Sequence, residues 1–219
     1  MIKEKNILIV VTSCDTMRSG HKTGLWLNEF AIPYSIFHTQ GYRMTIASPL
    51  GGDTPIDKQS LEDSTLKNKE IKTVLRNTQA LNEIDDNSFD LIYIPGGNGT
   101  MYDLCQNSVL SQLLIKQHTA NKLIATVCHG AVCLTTLKID NTPYVANRKL
   151  TCFSNSEELT TGQDKEYDFL LETRLRELGA EVTVSEPWSE HVVINGKLIS
   201  GQNPQSCECL AKIIVDLLK

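Results

Sequence analysis

The sequence predicts an α/β protein: a doubly wound, mostly parallel sheet with helices on both faces. Three observations predict it. Residues 6–11 and 123–127 are near-continuous apolar runs, the mark of strands covered on both sides. Helical apolar patterns lie between and beyond them, at 24–37, 109–118, 168–178 and 204–218, so strands and helices alternate. The stretch Leu123-Ile-Ala-Thr-Val-Cys-His-Gly-Ala-Val-Cys-Leu134 then joins a strand to a helix across a corner at Cys128.

Taken in order, 6–11 is the first strand, and the polar segment 12–23 with Gly20 is a loop at its carboxyl end, where open α/β sheets bind ligands. A helix over 24–37 follows, with Pro33 expected to kink it. Residues 41–49 close that helix and supply a second strand, so the chain begins β-α-β. A loop is expected over 50–60, a surface helix over 61–78 and a short turn over 81–86. The strand 91–94 runs into Pro95-Gly96-Gly97-Asn98-Gly99, where glycines permit positive φ and expose backbone N–H groups. This loop is either an anion nest or oxyanion hole, or simply a glycine-rich turn. Helical segments at 101–104 and 109–118 return the chain to the central strand that ends at Cys128. Short β-prone pieces over 144–153 and a polar turn at 155–158 come next. An amphipathic helix over 168–178 is capped by Gly179, and strands at 181–184 and 192–199 follow, the latter a hairpin turning at Asn195-Gly196. The last helix spans 204–218.

With 219 residues and 41% hydrophobic content, the chain can bury one sizeable core, and one domain over 1–219 is the simpler reading. Its net charge of −5 is spread without long runs, leaving no electrostatic footprint for nucleic acid or an anionic membrane surface. No signal-peptide pattern or apolar span of membrane length is seen, so a cytoplasmic location is expected. The seven cysteines are odd in number and scattered, as reduced thiols are. Cys207-Glu208-Cys209 lacks the two-residue spacing of a zinc or thioredoxin motif.

Cys128 carries the chemistry if the corner holds it above the sheet edge, beside the free N–H groups of a helix N-terminus. The small residues Ala125, Gly130 and Ala131 let the turn close. A thiol of ordinary pKa is only about 3% thiolate at pH 7, so a nucleophile needs that pKa lowered by roughly two units, about 3 kcal/mol. A helix N-terminus supplies at most about 2 kcal/mol, so another donor or cation must help. The alternative is an inert buried cysteine. Glu29, hemmed by Trp26, Leu27, Phe30 and Ile32, either points to water or is buried near the cysteine, protonated and donating to a thiolate. Glu157 or Glu158 could approach a histidine beside the nucleophile, or they are solvated first-turn acids behind an N-cap.

Taken together, Lys22-Thr23-Gly24 before Glu29, Ala47-Ser48-Pro49, Ile94-Pro95-Gly96-Gly97-Asn98-Gly99-Thr100, Val127-Cys128-His129-Gly130, Phe153 to Glu158, Pro187-Trp188 and Ile199 to Pro204 resemble the ThiJ/PfpI superfamily, on the class I glutamine amidotransferase-like, flavodoxin-like fold. They span nearly the whole chain in the family's order. The likeness is greatest to the branch of heat-shock chaperones and glutathione-independent glyoxalases. It implies Cys128 as nucleophile, Glu29 as the acid touching it, His129 as its partner, Glu158 as the carboxylate orienting that histidine, and the N–H groups of Gly97 and His129 as the oxyanion hole. It also implies a homodimer, and conversion of a small aldehyde, methylglyoxal, to lactate with no cofactor. A two-histidine, one-carboxylate metal site of some larger relatives does not map onto His21, His38, His118 or His191, so no metal is expected. Two other functions fit the resemblance. One is a stress chaperone or redox sensor in which Cys128 is oxidised. The other is a cysteine amidase or peptidase, which needs the His129 ring to face Cys128, whereas in this family the residue after the cysteine often points away.

Overall fold

The computed structural model describes residues 4–62, 69–85 and 89–219. Its strands are β1 (Asn6–Val10), β2 (Arg43–Ser48), β3 (Gln79–Ala80), β4 (Leu91–Ile94), β5 (Leu123–Val127), β6 (Lys138–Ile139), β7 (Thr142–Pro143), β8 (Lys149–Leu150), β9 (Glu181–Val182), β10 (Val192–Asn195) and β11 (Leu198–Gly201). Seven form one sheet in the order β10-β11-β5-β4-β1-β2-β3, parallel except for the antiparallel edge pair β10 and β11. The helices are α1 (Leu27–Thr39), α2 (Lys58–Glu62), α3 (Lys69–Leu75), α4 (Thr100–Asp103), α5 (Ser108–Thr119), α6 (Asn155–Thr161), α7 (Leu171–Glu177) and α8 (Cys207–Leu218).

Alternation along β1 shows why the sheet is covered on both faces. Ile7, Ile9 and Val11 join one apolar cluster, with Phe30 and Phe37 of α1 and Leu210 and Ile214 of α8. Leu8 and Val10 join the other, with Leu110, Leu113 and Leu114 of α5 and Leu171 and Leu175 of α7. The doubly wound architecture expected from the apolar runs is therefore present. Register brings Ile94 opposite Thr126 and Gly201 opposite Val127, so β4, β5 and β11 end at one level, just below Cys128.

Some local expectations are corrected. The helix after the corner is a 3-10 helix over Cys128–Leu134, whose end is closed by the tight Thr135 N–H bond to the Val132 carbonyl at 3.0 Å. The surface helix expected over 61–78 is helical at α2 and α3, and residues 63–68 lie outside the described residues. The edge strand β3 follows that segment; its two residues pair with Ala47 and Ser48 and were too few to show a period. Of the turn at 81–86, Leu81–Glu83 is a 3-10 turn and residue 86 lies outside the described residues. The hairpin turns one position later than Asn195-Gly196: Asn195 still pairs with Leu198, leaving Gly196 (φ +61°) and Lys197 at the tip. Pro33 lies buried inside α1. No helix among the described residues is long and apolar enough to cross a membrane.

Candidate active site

The corner is built by close backbone approach. Val127 is extended (φ −139°), and Cys128 then takes φ +57°, a left-handed conformation that costs a side-chain-bearing residue about 1–2 kcal/mol. Two glycines make room for it. A Cβ on Gly130 would stand 2.3 Å from the Ile94 carbonyl oxygen, and one on Gly96 would stand 2.8 Å from the His129 nitrogen. Phe153, far along the chain, donates its N–H to the Cys128 carbonyl at 3.3 Å and so braces the corner.

His129 and Glu158 extend from the cysteine in line. A carboxylate oxygen, Glu158 Oε2, lies 2.7 Å from His129 Nε2, and His129 Nδ1 lies 3.4 Å from Cys128 Sγ. The carboxylate accepts a proton carried on Nε2, which leaves the Nδ1 lone pair aimed at sulfur. The imidazole thus faces the thiol rather than pointing away, correcting the orientation on which the amidase reading was discounted. Its ring is held by Phe153 and Tyr167, with centroids 4.5 and 5.7 Å away.

Glu29 also reaches the thiol, from α1. It is wholly buried, and its Oε2 accepts the Gly96 N–H at 2.6 Å. Burial raises its pKa to about 8, opposed by contact with the Cys128 thiol and by the Gly96 N–H, so the carboxyl carries a proton at neutral pH. Tyr93 donates its hydroxyl to the Glu29 carbonyl at 2.5 Å, fixing that turn of α1 over the sheet. The thiol itself is only 4% exposed, at the floor of a cavity rather than raised above the sheet edge. Burial pushes its pKa well up, and an ionised Glu29 pushes it further, while the His129 N–H acts the other way. This reverses the expected direction of the isolated thiol. With Glu29 protonated, its charge repulsion on a thiolate is gone.

The two adjacent glutamates separate cleanly. Ser154 caps α6, and Glu157 closes a capping box with it. Glu157 accepts from Ser154 N–H (3.0 Å), Ser154 Oγ (2.7 Å), Gln202 Nε2 (3.1 Å), Trp188 N–H (2.9 Å) and Asn203 Nδ2 (2.8 Å), so it has no capacity left for a histidine. Glu158, about 100° further around the helix, is the one that meets His129. Neither is a solvated first-turn acid, because both are buried.

Above the thiol lies a cavity of about 110 Å³ whose walls include Trp26, Gly97, Asn98, His129, Phe153 and Trp188. Gly97, at φ +100°, has its Cα hydrogens against the Gly24 carbonyl, where a Cβ would be 2.3 Å away. Of the residues expected at the site, Gly97, Cys128 and His129 line this cavity, while Glu29 and Glu158 are buried behind its wall, against the thiol and the imidazole respectively. Gln163 is a wall residue that sequence reasoning did not find, since nothing local marks it, whereas Asn98 and Trp26 were read only as part of the glycine loop and as a neighbour of Glu29. Among the described residues no cluster of three His, Cys, Asp or Glu side chains could hold a metal ion.

Fold and site define a class: α/β proteins with a cysteine on a strained strand-to-helix corner, met by a buried acid and a carboxylate-oriented imidazole. A family model described as DJ-1/PfpI family matches residues 23–217, and the chain belongs to that family. It is 28% identical to the glutathione-independent glyoxalase hsp3101 of Schizosaccharomyces pombe, over 98% of this chain and 96% of that protein. The crystal structure of glyoxalase III from Candida albicans is similar at a TM-score of 0.87 and 25% identity, covering 98% of each chain. The Rapid Encystment Protein 24 KDa of Francisella tularensis is similar at 0.92 and 34% identity, over 98% of this chain and 99% of that one.

Proposed function

We propose that the protein is a glutathione-independent glyoxalase that converts methylglyoxal to lactate at Cys128. The observation that carries this reading is the pair of proton-transfer groups at one sulfur: a protonated carboxyl, Glu29, and an imidazole lone pair, His129 Nδ1. An internal shift of hydrogen between adjacent carbons uses a base that takes the carbon-bound proton and an acid that protonates the carbonyl oxygen. The relatives named as glyoxalases support the same reading.

The sulfur, with its proton passed to Nδ1, attacks the aldehyde carbon to form a hemithioacetal. The N–H groups of Gly97 and His129 hold the oxygen that becomes negative. The imidazolium returns its Nδ1 proton to that oxygen, so neutral His129 can take the hydrogen of the former aldehyde carbon as a proton while Glu29 protonates the ketone oxygen, giving an enediol. His129 then returns its proton to the neighbouring carbon as the Glu29 carboxylate takes the hydroxyl proton of the sulfur-bearing carbon, leaving a 2-hydroxy thioester. Water cleaves the thioester, releasing lactate and the thiol. Overall one water is consumed and no external oxidant or reductant is needed.

Purified protein incubated with methylglyoxal in the absence of glutathione should yield lactate by proton NMR, and Cys128→Ala should yield none. Glu29→Gln should slow turnover by about 10²-fold or more, the range of a positioned acid or base. Lactate formed by Cys128→Ala at the wild-type rate would overturn the reading. Ammonia released from simple amides, with no lactate, would favour the amidase that the His129 orientation also permits.

A further inference from the structure

Besides the chamber over Cys128, the same mouth of the molecule holds a second one. It is larger, about 380 Å³, and its walls include His21, Lys22, Asp57, Lys58 and Glu166. Gln59, Thr161 and Gln163 line both chambers. Gln163 is tied across the boundary: its Oε1 accepts from Asn98 Nδ2 at 2.7 Å, joining the loop after α6 to the glycine loop after β4. Asn98 is buried, and the Gln163 main chain is set by Gly162, which ends α6 at φ +70° with open space where a Cβ would sit. Gly162 is thus required for its backbone angle, which aims the next residue inward.

The two chambers differ in chemistry. The inner wall is dominated by Trp26, Phe153 and Trp188 and suits a short apolar substituent. The outer wall alternates donors and acceptors of both signs, several already engaged: Lys22 with Asp15, Asp57 with Thr23 Oγ1, and Glu166 with the Ser19 N–H. Such a surface recognises neutral hydroxyl groups better than an ion of one charge.

We propose that the Gln163–Asn98 bridge is the specificity gate of the site. Closed, it confines the substrate to a two- or three-carbon 2-oxoaldehyde. Opened, it joins the chambers and gives the hydroxylated tail of a longer, sugar-derived 2-oxoaldehyde a polar berth. This rests on the glyoxalase reading, and the chemical step is unchanged: one water is consumed and the aldehyde and ketone carbons become carboxylate and carbinol.

The test compares kcat/KM for 3-deoxyglucosone, a six-carbon probe, with that for methylglyoxal in wild type, Gln163→Ala and Asn98→Ala, each shown folded by circular dichroism. The ratio should rise at least fivefold in both variants. A smaller rise in both, with methylglyoxal still turned over by the wild type, overturns the gate. A wild type that makes no lactate instead defeats the glyoxalase reading. In that event the gate is judged by alkylation of the Cys128 peptide, measured by mass spectrometry. The rate with a glycosylated iodoacetamide relative to iodoacetamide should rise fivefold or more in the variants, and a smaller change overturns the gate.

Discussion

Glu29 shows how one side chain can serve chemistry at the expense of stability. Its pKa is near 8 when folded against an ordinary 4.5, so the folded chain keeps a proton that the unfolded chain has released. The stabilisation linked to that proton is complete below pH 4.5 and is lost as pH climbs through about 8. With each pKa unit worth about 1.4 kcal/mol, the loss amounts to a few kcal/mol. Glu29→Gln cannot ionise. The wild-type urea midpoint should therefore fall between about pH 5 and about pH 9, and the variant's should fall by distinctly less. Parallel declines would show that Glu29 is not the group responsible. Crowding of Glu29 by Trp26, Leu27, Phe30 and Ile32 raised its burial in the sequence as one of two readings, the other being a side chain in water, and it is the fold that decides between them. The direction of the Cys128 shift was not legible there, because it depends on how deeply the 3-10 corner sinks beneath Phe153 and Trp188, residues 25 and 60 positions further on.

Helix α6 is the element that turns a sequence motif into active-site architecture. Its Ser154-x-x-Glu157 capping box is visible in the sequence, and a capping glutamate is ordinarily a solvated first-turn acid. Here the segment 185–203 folds over it. Trp188, which forms part of the cavity wall at φ +62°, is held through its main-chain N–H on Glu157, as Gln202 and Asn203 are through their side chains. No local pattern announces that cover, so the separate tasks of Glu157 and Glu158 could be distinguished only by the family likeness. Glu157→Gln replaces one acceptor oxygen with an amide that confronts donors, and leaving buried donors unmatched costs about 2–3 kcal/mol. For a chain of this size that lowers Tm by about 5–10 °C. Differential scanning calorimetry of the two proteins checks it, and an unchanged Tm would mean that the three hydrogen bonds from Trp188, Gln202 and Asn203 are not holding the C-terminal segment.

Across the whole molecule, the site is assembled from stretches near 29, 97, 128, 158 and 188 that meet only because the sheet ends them at one level. The apolar runs made that sheet legible, since a strand buried on both faces tolerates few polar residues. The two-residue edge strand β3 and the pairing of β8 with β9 were not, because two positions carry no period. The layer of α1 and α8 lies behind the site: α1 presents Glu29 to the sulfur while Phe30 and Phe37 pack with Leu210 and Ile214 of α8. Ile214 is wholly buried there, away from the cavity walls. Ile214→Ala should cost about 2–4 kcal/mol from the lost contacts and the void left behind. Because α1 is also fixed by the Tyr93 hydroxyl and the Gly96 N–H, that loss should come from global stability while Glu29 keeps its place. Urea unfolding should show the full destabilisation, and the rate of lactate formation at 25 °C should stay within about threefold of wild type, since the folded fraction remains near unity for a typical margin of about 5–15 kcal/mol. A large fall in rate in a variant still fully folded would show instead that the two-helix layer transmits its packing directly to the carboxyl–thiol pair.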